Sequence, residues 1–153
     1  MKHLNCCAVT IRLLSVCTVF LLIFSGVAAA QERLCVTASK ANLRSAPDAN
    51  SDQLWQVEKY HPFIVIEKKG EWYKVKDFEG DTAWIHNSLL GNDSCVITKK
   101  EKCNVRSEAS MNGRELFTAE KGVPFKTLET KGNWIKVKHQ DGDIGWISKK
   151  LVW

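Results

Sequence analysis

Tryptophan, cysteine and histidine are the residues of this chain whose types and spacing could define a chemistry. Beyond residue 30 the cysteines are Cys35, Cys95 and Cys103, and the histidines are His61, His86 and His139. Four tryptophans fall into two matched pairs, Trp72 with Trp84 and Trp134 with Trp146, the second pair 62 residues after the first. Paired aromatics at repeated positions suggest a contact surface, because an indole ring offers rigid contact area at low entropic cost. The histidines fall on no metal-ligand spacing and stand beside no nucleophile or carboxylate pair, so neither a metal site nor acid–base catalysis is expected. Asp141-Gly142-Asp143 lacks the spaced ligands and terminal glutamate of a calcium loop and reads as a turn. No glycine-rich phosphate loop is present, and no cofactor is expected.

The elements that must carry these residues follow from an internal repeat. ANLRS at 41–45 returns as CNVRS at 103–107, and the same 62-residue offset carries Pro62-Phe63 to Pro124-Phe125, Gly70 to Gly132, Trp72 to Trp134, Gly80 to Gly142 and Trp84-Ile85 to Trp146-Ile147. The chain therefore holds two copies of one unit, at 31–90 and 95–153, joined by a polar link that begins at Gly91. So short a link predicts that the copies touch. Within each copy the apolar residues alternate with polar ones: Ala41 and Leu43 against Asn42 and Arg44, Tyr73 and Val75 against Trp72, Lys74 and Lys76. That is the period of a half-buried strand, and no segment offers a helix at 3.6 spacing. Turns are expected at Gly70, Gly80 and Gly142, where glycine can take a positive φ. Five or six short strands per copy predict an all-β architecture of two tandem small antiparallel barrels.

Alternation also gives the tryptophans a side. If Tyr73 and Val75 face the core, Trp72 projects outward with Lys74 and Lys76, and Trp84 projects outward on the next strand. Trp134 and Trp146 are their counterparts. Two roles are open to these rings: a binding platform, or a second small core beneath the long loops that follow Arg44 and Arg106. Trp55, Phe63, Phe117 and Phe125 read as core, and Tyr60 stands where copy two has Gly122.

Residues 1–30 read as a signal peptide, with Lys2 and Arg12 ahead of an apolar run and Ala28-Ala29-Ala30 before Gln31. The uninterrupted apolar run is short of the ~20 residues that span a bilayer, so contact with the membrane is expected only transiently, through the signal. An exported protein of the periplasm or cell envelope, or a secreted one, is the expected product. The formal net charge of +5 falls to +3 without the two cations of this segment, which gives no argument for nucleic acid. Export permits a disulfide. The ends of a small barrel lie close together, so Cys35–Cys95 is the favoured pair; closing about sixty residues would contribute about 4 kcal/mol in the chain-entropy model, against about 2.5 kcal/mol for the alternative Cys95–Cys103. Cys103 matches the core position Ala41 and reads as a small buried thiol.

ANLRSAPD at 41–48 followed by PFIVIEKKGEWYKVKDFEGDTAWIHNSLL at 62–90 resembles a bacterial SH3 domain, whose pattern is N-[LV]-R-S-G-P, a hydrophobic strand, then G-x-W-x-x-V and G-x-x-G-W-[IV]. Copy two, from CNVRSEAS to GWISKKLVW, is similar to it as well. The chain departs from the pattern at Ala46, Ala83, Glu108 and Ala109. The resemblance implies SH3-like barrels and a non-catalytic module that attaches exported proteins to peptidoglycan or its stem peptides, or to a peptide of an envelope partner. It implies further that Trp72 and Trp134 are groove tryptophans, with Trp84 and Trp146 lining the same groove.

Overall fold

A computed structural model describes residues 31–153. The signal peptide expected over residues 1–30 lies outside the described residues. Copy one consists of β1 (Arg33–Val36), β2 (Lys40–Arg44), β3 (Gln53–Glu58), β4 (Pro62–Lys69), β5 (Trp72–Lys76), β6 (Thr82–His86) and β7 (Leu90–Gly91), in the sheet order β3-β2-β6-β5-β4-β1-β7. Copy two repeats this with β8 (Cys95–Ile97), β9 (Cys103–Arg106), β10 (Glu115–Ala119), β11 (Pro124–Lys131), β12 (Trp134–Lys138) and β13 (Ile144–Ser148), ordered β10-β9-β13-β12-β11-β8. All strand pairs are antiparallel. Where β1 meets β7 in copy one, copy two has the single bridge Thr98–Val152. One 3-10 turn follows the sixth strand of each copy, at Asn87–Leu89 and Lys149–Leu151.

The period-two pattern becomes two cores. Ala41, Leu43, Phe63, Val75 and Ile85 are buried in one; Cys103, Val105, Phe125, Val137 and Ile147 fill the same places in the other. Trp55 and Phe117 pack against these cores half-buried. The hairpin glycines take the left-handed backbone their turns require, with φ of 58° at Gly70 and 98° at Gly80, and 56° and 102° at Gly132 and Gly142. Tyr60 shares that conformation with its counterpart Gly122, at φ 70° and 85°. In the β5–β6 connection the buried Asp77 carboxylate accepts from the N–H groups of Glu79, Gly80 and Asp81, each at 2.9 Å, which satisfies three donors of the turn.

The copies touch, as the short link requires. Because β1 pairs with β7, setting Cys35 opposite Gly91, the start and end of copy one are adjacent. Cys95 lies just beyond, and the Cys35–Cys95 disulfide forms across a Cα separation of 6.2 Å. The alternative Cys95–Cys103 pair does not form: Cys103 is a free thiol buried in the core of copy two. The Arg33 guanidinium stacks 4.0 Å from the centre of the Trp153 ring, Lys121 pairs with Glu79 at 2.6 Å, and Gln140 donates to Glu58 at 2.8 Å.

Candidate functional site

Each copy carries a groove on the outer face of its barrel, walled by the strand that opens the repeat. Ala41 and Leu43 point into the core, so Lys40, Asn42 and Arg44 point outward along β2. They line a cavity of about 460 Å³ together with Gln56, Trp72 and His86. In copy two Lys102, Asn104, Arg106, Met111, Trp134 and Ser148 line a cavity of about 300 Å³. Seven of the positions correspond across the 62-residue offset: 40 and 102, 42 and 104, 44 and 106, 49 and 111, 72 and 134, 86 and 148, 89 and 151. The duplication therefore reproduces a site as well as a fold.

Local geometry fixes the walls. In the β5–β6 register Trp72 stands opposite His86, and the two rings meet edge to face at 5.3 Å. His86 is held in turn by Ser88 Oγ at 2.8 Å from Nδ1 and by Glu71 at 3.5 Å from Nε2. Trp134 stands opposite Ser148, which leaves its ring without that neighbour. Arg44 donates to the carbonyl of Ser51 at 2.6 Å, and Arg106 donates to that of Gly113 at 2.8 Å. Each arginine thereby ties the loop after its strand to the groove side. An aromatic floor beside an ammonium group and an amide suits a ligand with an apolar face and polar edges.

Of the tryptophans singled out by spacing, Trp72 and Trp134 each line a groove, and Trp84 and Trp146 line neither. Strand parity sets Trp84 on the outer face, paired with Arg44 on one side and Lys74 on the other, yet it is only 8% exposed. Of the two roles open to these rings, Trp84 takes the buried one. Trp146, between Arg106 and Lys136, is half-buried, with the Lys136 ammonium 6.0 Å from its ring centre. The sequence sets Asn42 and Arg44 in alternation with Ala41 and Leu43 but does not join them to the tryptophan; their shared parity and offset are the available signal. Among the described residues no group of three or more His, Cys, Asp or Glu side chains is placed to hold a metal.

Residues 39–91 match one family model and residues 99–153 a second, and both describe a bacterial SH3 domain. No curated protein matches the chain. Similar solved structures include NlpC2 from Trichomonas vaginalis, at 13% identity over 81% of this chain and 48% of that one, with a TM-score of 0.36. NlpC1 from the same organism matches at 14% identity over 92% and 50% of the two chains, with a TM-score of 0.37. An NlpC/P60 family protein from Bacillus cereus matches at 18% identity over 80% and 56%, with a TM-score of 0.36. The chain spans about half the length of these structures.

Proposed function

The chain belongs to the bacterial SH3 domain family, in two tandem copies, and from that premise we propose that it is a non-catalytic exported module that attaches to peptidoglycan or its stem peptides through the grooves of Trp72 and Trp134. The observation that carries the proposal is the recurrence of one groove, with lysine, asparagine, arginine and tryptophan at the same offset, in both barrels. Duplicated weak sites suit a polymer that presents the same unit many times, since the second contact is made at high local concentration. The Cys35–Cys95 disulfide supports a location outside the reducing cytoplasm, in the periplasm or cell envelope.

The chain from Gln31 onward, mixed with purified insoluble cell wall and sedimented, should be retained in the pellet. Trp72→Ala and Trp134→Ala together should release it, each truncation costing about 2 kcal/mol of its groove's binding. Recovery of the unaltered protein in the supernatant would overturn the proposal. Capture of a single dominant envelope protein in place of wall would favour instead an adaptor that grips an extended peptide. Incubation with the wall should produce no clearing.

A further inference from the structure

Two glutamates of copy one are met by donors from copy two. Gln140 donates its amide to Glu58 at 2.8 Å, and the Lys121 ammonium pairs with Glu79 at 2.6 Å while lying 5.9 Å from the centre of the Phe78 ring. The 62-residue offset carries these glutamates to Glu120 and Asp141. There, among the described residues, no lysine or arginine pairs with them: Asp141 meets only His139, at 3.2 Å, and neither Glu120 nor Asp143 forms an ion pair. All three acids are exposed, Asp141 with 75% of its side chain in solvent. They border a cavity of about 400 Å³ whose partly exposed apolar walls are Phe117, Val123 and the His139 ring. Copy one fills the places of Phe117 and Val123 with the larger Trp55 and His61, and spends the carboxylate of Asp77, at the place of His139, on its own turn.

We propose that this cavity is a second ligand site, sharing no lining residue with either tryptophan groove, and that it takes the terminal ammonium of a diamino-acid side chain in a stem peptide. The aliphatic stem lies against Phe117 and Val123, and the charge turns toward Asp141 and its acidic neighbours. Lys121 already shows the mode within the chain, an ammonium held between a carboxylate and an aromatic ring. Three acids without a basic partner favour a cation and repel an anion. Among the described residues the acids are not gathered as metal ligands, which suits a charge carried on a flexible stem. This inference rests on the wall-binding reading above.

Two probes of equal stem test it on the chain from Gln31 onward: Nα-acetyl-lysine methylamide, and the norleucine analogue that lacks the charge. Binding is followed through the ring C–H resonances of His139. The lysine probe should shift them and the norleucine probe should not. Glu120→Gln combined with Asp143→Asn removes two charges at exposed positions outside the core and should weaken the lysine probe about three- to tenfold, the worth of two exposed charge contacts. Cell wall whose free amines have been acetylated should retain the native protein less well by a similar factor, and the double variant should lose nothing further on it. No shift of His139 with the lysine probe, or equal shifts with both probes, overturns the inference; retention on untreated wall then leaves the wall-binding reading standing. Undiminished retention on acetylated wall overturns the stem peptide as the source of the ammonium. Failure of the native protein to sediment with untreated wall removes the inference together with the reading it rests on.

Discussion

His61 takes the place in copy one that Val123 holds in copy two, which puts an ionisable ring at a position built for an apolar side chain. It is 8% exposed, lies 4.7 Å from the Phe63 ring and 6.3 Å from that of Phe78, and its Nε2 is buried without a partner. Burial alone pushes its pKa down to about 4. Well above pH 6.5 the ring is neutral whether the chain is folded or not, and it contributes nothing to pH dependence. As the pH falls from about 6.5 toward 4, the unfolded chain takes up the proton first and the folded state loses up to about 3 kcal/mol. Urea denaturation at pH 7.5 and pH 4.5 should therefore show His61→Val gaining nearly that much on the native protein at the lower pH. Parallel losses in the two proteins would mean that the ring is solvated. The sequence carried a signal for this burial, since the repeat aligns His61 with an apolar residue. Read singly, a histidine before a proline gives no such signal.

At the scale of strands and hairpins, much was legible because parity and turn chemistry are local. Glycine 70, 80 and 142 close their turns as expected, and Trp72 and Trp134 face outward beside their lysines. Parity fixes the side of a sheet on which a ring emerges but not whether it is covered, so the sequence left platform and buried roles open, and Trp84 takes the buried one. The two copies also solve one contact differently. A Cβ on Gly145 would fall 2.5 Å from Val105 Cγ1 and 3.0 Å from the Arg106 carbonyl, whereas copy one buries Ala83 and Leu43 at these places. Valine branches at Cβ and fills the space beside the backbone that leucine, branching one atom later, leaves open. Gly145→Ala should cost about 1–3 kcal/mol by overpacking. Val105→Leu in the same chain should restore part of it, with a coupling of at least about 0.5 kcal/mol across the four denaturation curves. Strict additivity would show that the neighbouring carbonyl, and not the valine, sets the limit.

Over the whole molecule, the repeat predicted two barrels and chain-end proximity predicted the disulfide, because both follow from topology. The contacts between copies were not legible, since they join residues whose types differ from their counterparts in the repeat: Arg33 corresponds to Cys95 and Trp153 to Gly91. Those contacts include exposed ion pairs such as Glu79–Lys121, which hold a geometry weakly in water. The covalent link is therefore the main tie. Replacing Cys35 and Cys95 together by serine should lower stability by about 4 kcal/mol for a closure across 60 residues. A calorimetric trace should then pass from one transition to two. A single unchanged transition would assign the coupling to the noncovalent face.

The same sulfur bridge encloses almost the entire first barrel between its two ends. A pull applied at Gln31 and Trp153 would run from Cys35 straight across to Cys95, so tension never enters the chain between them. Under mechanical load only the second barrel unravels; about 20 nm of slack, at roughly 3.5 Å per residue, stays locked in the first until a reductant frees it. A protein tethered to a wall that swells and contracts would keep one grip folded while the other yields.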